Sequence, residues 1–279
     1  MATKQLSRTR RVAFRICVTL FVLFYAFLIG AASGLLGTDG STWDEQSHRV
    51  HHVGISLFIG IVVVGLLAQL RAPERNIASF QQAVVGVLAI QIVNLIVGDP
   101  DNSGGNVGII DPVFLIFLVP VGILAALHPA RASLFRSGIS MSRTLAGMAL
   151  AAAVPLAIYG VEQALLQRHS WPPTSDPHHT KWAWMASFAF AIPLVGLVAA
   201  ARTEGWRVPA YSAGIAAIVF GLVSVLYPGH ASSVGRMWGS LSVLGGTAFM
   251  IASVWEARRG RALPTVPQPL RNAPEGNRS

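Results

Sequence analysis

Apolar residues in this chain fall into long blocks that are separated by short polar stretches. Each block is uniformly apolar rather than alternating, which excludes the strands of a membrane β-barrel. The block length matches the roughly 20 residues with which a helix crosses a bilayer core of about 30 Å. The pattern therefore predicts an all-α fold, a polytopic transmembrane helical bundle of about eight spans. The predicted spans are 13–36, 51–70, 78–98, 109–127, 143–165, 182–201, 208–227 and 234–255.

Two of these spans need a further argument. The span 109–127 contains Asp111, Pro112 and Pro120, but without it the neighbouring spans could not keep consistent sides of the membrane. The span 13–36 follows a basic segment, as a secretory signal does. Its apolar stretch exceeds the roughly 7 to 15 residues of a signal peptide, so the pattern favours a retained anchor.

Composition agrees with a membrane protein. Hydrophobic residues make up 53% of the chain and charged residues 12%, whereas soluble domains carry about 25% charged residues. Cys17 is the single cysteine, so an intrachain disulfide and a cysteine-based metal site are both excluded.

The lysines and arginines indicate how the chain is oriented. With the N-terminus in the cytoplasm, 17 of the 21 basic residues lie in cytoplasmic segments, and only Arg49, Arg168, Lys181 and Arg236 lie outside. Positive charge collects on the cytoplasmic side of membrane proteins. The pattern predicts a multi-pass protein of the cell membrane with cytoplasmic N- and C-termini. Because topology accounts for the net charge of +9, we expect no nucleic-acid partner; the lipid bilayer is the expected surrounding, and a partner subunit stays open.

We expect one transmembrane domain over 1–261, followed by a disordered, proline-rich cytoplasmic tail over 262–279. An internal repeat with halves 1–138 and 139–261 is a second hypothesis. It rests on the pairs His51–His52 and His178–His179 and on similar outward turns before the fourth and eighth spans. Four spans in each half would give parallel repeats related by an axis along the membrane normal. Chance spacing in a protein with short loops is the alternative.

Histidines and carboxylates concentrate on the predicted outer side. Imidazole and carboxylate groups suit transition metals and also serve in proton transfer. We take His52, His178, His179 and His230 as candidate metal ligands that converge at the outer end of the bundle. The cofactor would be a divalent transition metal or haem, and no cofactor-binding residues can be assigned. The alternative is that these histidines are ordinary polar residues of short loops.

Two carboxylates are candidate catalytic groups. Glu162 lies near the outer end of the fifth span, and an ionisable residue at such a depth is costly unless it is paired or functional. A salt bridge with Arg168 or Arg236 is the structural alternative for Glu162. Asp176 precedes the sixth span, where it could also serve as the helix N-cap. Tryptophans near the span ends, Trp238 among them, are interpreted as an aromatic belt.

Three functions remain open from the sequence. The first is a membrane-embedded metal- or haem-binding protein with redox or hydrolytic activity. The alternatives are a proton-coupled transporter of a small solute and a non-catalytic membrane subunit. No HExxH motif or histidine box is present, and the sequence does not decide whether the protein is an enzyme.

Overall fold

A computed structural model describes residues 2–32, 49–97, 112–134, 140–169 and 181–262 of the chain. These ranges contain helices and no strand, which confirms the all-α prediction. The eight α-helices are α1 (Ala2–Ala32), α2 (Arg49–Arg71), α3 (Ile77–Val97), α4 (Pro112–Leu127), α5 (Arg143–His169), α6 (Lys181–Ala200), α7 (Arg207–Leu226) and α8 (Gly235–Ala262). One-turn 3₁₀ helices lie at Pro73–Arg75 and Arg131–Ser133.

Seven of these helices are long and apolar enough to cross a membrane. The exception is α4, whose apolar part in the described residues is Leu115–Leu127. Every predicted span corresponds to one helix, so the polytopic bundle is confirmed and the chain is a multi-pass membrane protein. Several ends differ from the prediction, because α1 begins at Ala2, α5 continues to His169 and α8 continues to Ala262. The predicted disordered tail is 262–279; Ala262 is the last residue of α8, and 263–279 lies outside the described residues.

The helices differ in how far they are enclosed. In the most apolar 18-residue stretch of α6, 72% of the residues are buried inside the protein, whereas in that of α1 only 17% are buried. Phe58, Phe80, Phe188 and Phe220 are fully buried, and they come from α2, α3, α6 and α7. These four helices therefore form the centre of the bundle, while α1 presents apolar residues such as Leu20 and Leu23 outward to the lipid.

The two ends of the bundle are chemically different. One end, here called the basic end, holds the N-terminus of α1 and the C-termini of α2, α4, α6 and α8. There the Arg10 guanidinium donates to the carbonyls of Ala126 and Leu127, and Arg202 pairs with Glu256 at 3.1 Å. The opposite end, here called the far end, holds the N-terminus of α2, the C-terminus of α5 and the α7–α8 turn.

The basic end is tied together by buried polar side chains. His128, which follows α4, is fully buried, and its Nε2 lies 3.2 Å from Oε1 of Gln69 on α2. The Gln69 amide donates to the carbonyl of Asn76, and the Gln81 amide donates to the carbonyl of Leu134. These hydrogen bonds hold α2, α3 and the segment that follows α4 together at the basic end.

The helix contacts bear on the predicted repeat, in which α1 to α4 would correspond to α5 to α8. α1 packs on α2 as α5 packs on α6, and α1 meets α4 as α5 meets α8. α2 also lies against α7 as α3 lies against α6. A twofold axis that exchanged the two halves would turn the first contact of each of these pairs into the second. The contact of α3 with α5 has no comparable counterpart between α1 and α7 in the described residues, and the repeat stays a prediction.

Candidate functional site

A cavity of about 660 Å³ lies between α5, α6, α7 and α8. Along α5 it is lined from Met148 to Gln163, a rise of about 22 Å at 1.5 Å per residue. Along α8 its lining runs from Trp238 to Phe249. It is thus a long cavity that follows the helices through much of the apolar layer, and most of its lining is apolar.

Small residues create this space. α5 packs mainly against α6, and α8 packs mainly against α7, so α5 and α8 face each other across the cavity. The facing positions include Ala151 and Ala152 on α5 and Gly245 on α8. A Cβ atom built on Gly245 would meet nothing within 4 Å. The side chains are too short to fill the gap between the two helices.

The cavity reaches the apolar flank of the protein. Ile158, Trp238 and Leu241 line the cavity and are also 59%, 50% and 50% exposed. All three lie on α5 or α8, the two helices that border the gap. The cavity therefore opens between α5 and α8 on an apolar surface of the protein.

The far end of the cavity is polar. It is bordered by Tyr159, Glu162 and Gln163 on α5 and by Ser233 in the α7–α8 turn, which together are called the polar cluster below. The Tyr159 hydroxyl donates to the carbonyl of Ser232 at 2.7 Å. That bond fixes the turn against α5 and holds the four members at the same end of the cavity.

Gln163 is the unusual member of the polar cluster. Its side chain is only 6% exposed, yet its Oε1 atom has no hydrogen-bond partner. A buried polar group without a partner costs roughly 1–3 kcal/mol. Because Gln163 also lines the cavity, the missing partner can be supplied by a molecule that enters it.

Glu162 forms no ion pair within 4 Å in the part of the chain that the structure describes. The ion pairs found there are Arg11–Glu74 and Arg202–Glu256, and both lie at the basic end. The predicted alternative of a salt bridge with Arg168 or Arg236 is therefore not formed, although all three side chains are described. Glu162 is exposed at the mouth of the cavity and is free to contact a ligand.

The predicted histidines can be followed only in part. His52 is buried near the start of α2, with its ring centroid 5.4 Å from that of His51. His230 lies in the α7–α8 turn, 4.9 Å from the ring of Tyr227. The guanidinium of Arg49 lies 5.0 Å from the same Tyr227 ring. The start of α2 is thus placed beside the α7–α8 turn.

The other predicted site residues, Asp176, His178 and His179, lie outside the described residues. Within the described ranges, no group of three or more His, Cys, Asp or Glu side chains could hold a metal ion. The predicted metal set includes two residues beyond those ranges, so its convergence with Glu162 stays a prediction.

No family model, curated protein or solved structure matches this chain. The function is therefore inferred from the geometry of the site. Sequence reasoning identified Glu162 but missed the cavity, and it interpreted Trp238 only as part of an aromatic belt. The available signal was the pairing of small residues, Ala151–Ala152 and Gly245–Gly246, in the middle of two predicted spans.

Proposed function

We propose that this protein binds an amphiphile from the bilayer, with the apolar chain in the α5–α8 cavity and the head group at the polar cluster. We place it in the cytoplasmic membrane with both termini in the cytoplasm, on the basis of the charge asymmetry of its segments. The far end then faces the outside, and the ligand comes from the outer leaflet. The observation that carries the proposal is a long apolar cavity that ends at an unpartnered buried amide.

The volume of the cavity supports an apolar occupant. An empty cavity costs roughly 24 cal/mol per Å³, so about 660 Å³ left empty would cost on the order of 16 kcal/mol. That is comparable to the whole stability of a typical domain. A flexible alkyl chain that enters from the side removes this cost, and pockets of about 300–1,000 Å³ are typical of small-molecule sites.

The position of the polar groups supports a head group at one end only. Glu162 lies seven residues before the end of α5 at His169, which is about 10 Å along the helix axis. Polar groups at that depth are costly in hydrocarbon and suit the head-group region of a bilayer. The cavity and the polar cluster therefore match the two parts of a single amphiphilic molecule.

Photolabelling of the full chain in lipid nanodiscs tests the proposal. The probe is a long-chain alcohol that carries a diazirine on its alkyl chain, and labelled peptides are identified by mass spectrometry. We expect labelling to concentrate on the α5 and α8 residues that line the cavity, relative to the lipid-facing residues of α1 in the same sample. Gly245→Phe should fill the cavity and remove that excess.

Gly147→Phe is the matched control. Gly147 also lies in a spanning helix with nothing within 4 Å of a built Cβ atom, but it does not line the cavity. It should leave the labelling excess unchanged. Equal labelling of α1, α5 and α8 in the unmodified protein, or an excess that survives Gly245→Phe, would refute amphiphile binding in the cavity.

Binding of a metal or haem is the second candidate function. It is supported by the contact of Arg49 with Tyr227 and by the proximity of Tyr227 to His230, which bring two histidine-bearing segments together. Elemental analysis and an absorption spectrum of the purified protein test it. A stoichiometric metal or a haem band that is lost in His52→Gln and His230→Gln would support this function. The absence of both signals from the purified protein would argue against it.

A further inference from the structure

We propose that the head group recognised at the polar cluster is cationic, a protonated amine on a long alkyl chain. This inference rests on the proposed function, since it names the ligand class of the same cavity. It is drawn from three features of the far end: a carboxylate without an ion pair, aromatic side chains that line the same end of the cavity and an unpartnered amide oxygen.

The carboxylate sets the sign of the preferred charge. Glu162 borders the cavity and forms no ion pair among the described residues. At the edge of an apolar cavity, the attraction between opposite charges is screened less than in water. An ammonium head group would therefore be attracted to Glu162, whereas a carboxylate or phosphate head group would be repelled by it.

Aromatic rings favour the same ligand class. Trp238 lies in the first turn of α8, and Tyr159 lies one turn from Glu162 on α5; both line the cavity. Cations are attracted to the faces of aromatic rings, and quaternary ammonium groups are recognised in this way in other proteins. Trp238 is half exposed, so part of its indole is free to contact a ligand.

The hydrogen-bonding groups at the far end of the cavity favour a ligand that donates hydrogen bonds. Oε1 of Gln163 is a buried acceptor without a partner, and the carboxylate of Glu162 is a second acceptor. The Tyr159 hydroxyl proton is already donated to Ser232, so it does not serve an anionic ligand. Acceptors without partners suit a protonated amine, which carries donors and no acceptor.

Three photoprobes with the same diazirine-bearing alkyl chain test the inference. They end in a primary ammonium, an alcohol and a carboxylate. Labelling of the cavity residues on α5 and α8 is divided by labelling of α1 in the same nanodiscs, which corrects for different partitioning into the bilayer. We expect the ratio for the ammonium to exceed that for the alcohol by about tenfold, given the strength of cation–π and ionic contacts, and the carboxylate to give the lowest ratio.

Two substitutions assign the preference to the far end of the cavity. Glu162→Gln keeps the shape of the side chain and removes its charge, so the ammonium ratio should fall severalfold towards the alcohol ratio while the alcohol ratio stays unchanged. Trp238→Leu should reduce the ammonium preference severalfold. Glu204→Gln is the matched control, because it removes an exposed carboxylate of the α6–α7 turn at the basic end, and it should keep the full preference.

The outcomes separate the two proposals. If the alcohol labels the cavity but the ammonium is not preferred, or if the preference survives Glu162→Gln, the cationic head group is refuted and amphiphile binding stands. If the alcohol does not label the cavity above α1, amphiphile binding itself is refuted.

Discussion

His128 shows how a single polar side chain can be built into the basic end. Its Nδ1 accepts the backbone N–H of Ala130 at 3.1 Å, so the ring proton is on Nε2, which faces Oε1 of Gln69. The rings of Phe14 and Phe80 lie 5.1 and 5.0 Å away. Burial is the main reason that the pKa of His128 is lowered to about 4; Glu74 opposes this shift, and Arg10 adds a smaller lowering. The folded protein therefore holds a neutral imidazole.

This lowered pKa predicts a loss of stability in acid. Between the ordinary pKa of histidine, about 6.5, and the folded value of about 4, the unfolded chain binds a proton that the folded chain does not. Stability must then fall as the pH is lowered through this window. We expect His128 to contribute a decrease of about 1–2 kcal/mol in the free energy of unfolding from pH 7 to pH 5.

His128→Asn isolates the effect, because asparagine keeps an acceptor for the N–H of Ala130 and does not titrate. Thermal unfolding in detergent should show a lower midpoint for the variant at pH 7 and a smaller difference from the unmodified protein at pH 5. The control is His169→Asn, at an exposed position at the far end. A difference between His128→Asn and the unmodified protein that is constant with pH would contradict the assignment.

Helix pairing in this protein depends on glycine, most clearly between α7 and α8. Gly214 and Gly221 on α7 face Gly246 and Gly239 on α8, and within each helix the two glycines are seven residues apart. Seven residues are two helical turns, so both pairs lie on one face of each helix. A Cβ atom on Gly221 would lie 2.5 Å from the carbonyl oxygen of Gly239. The backbones are therefore in direct contact.

Such close approach is a common basis of helix association in membranes, where small residues let backbones pack and polar side chains bond across. Ser242 follows this rule, since its hydroxyl donates to the carbonyl of Ala217 on α7 at 2.8 Å. The α7–α8 hairpin forms one wall of the cavity, and the two helices of this wall are held together by close backbone packing.

Two adjacent glycines of α8 provide a sharp test of this packing. A Cβ atom on Gly246 would lie 2.7 Å from the carbonyl oxygen of Gly214, whereas one on Gly245 would meet nothing within 4 Å. We expect Gly246→Ala to destabilise the protein by about 1–3 kcal/mol, as overpacking does. Gly245→Ala should be neutral or slightly stabilising, because alanine is the better helix former. Thermal midpoints measured in the same detergent compare the two variants, and equal midpoints would count against the close α7–α8 contact.

The bundle as a whole is polarised in charge, and that polarity predicts its orientation in the membrane. Most of the arginines lie at the basic end, including those at the helix ends Arg71, Arg143 and Arg207. The far end of the described helices carries Arg49, Arg168, Lys181 and Arg236. Because basic segments remain in the cytoplasm during insertion, the basic end should be cytoplasmic.

Reporter fusions test this orientation. Fusions after Gly138 and after Ser279 should report a cytoplasmic location, and a fusion after Ser103 should report an external one. The fusion at Ser103 is the internal control, since it must differ from the other two when the number of spans between the sites is odd. An external signal at Gly138 would overturn both the orientation and the assignment of the cavity to the outer leaflet.

The sequence by itself determined the helices and the polarity of the bundle. A chain in hydrocarbon must satisfy its backbone hydrogen bonds within each segment, so helices such as α2 and α6 follow from local composition and block length. Their ends were less certain, because the polar ends of α1 and α8 continue as helix beyond the apolar blocks. Glu162 was also found from the sequence, since a carboxylate in an apolar block is conspicuous without knowledge of its neighbours.

The tertiary structure alone decided which helices are neighbours, and the site depends on that choice. The cavity exists because Ala151 and Gly245, nearly a hundred residues apart, face each other across a gap. The surrounding helices leave Oε1 of Gln163 without a hydrogen-bond partner. They also bring Gln69 next to the buried ring of His128. Burial, pairing and empty space are properties of several segments at once, whereas a hydropathy pattern describes one segment at a time.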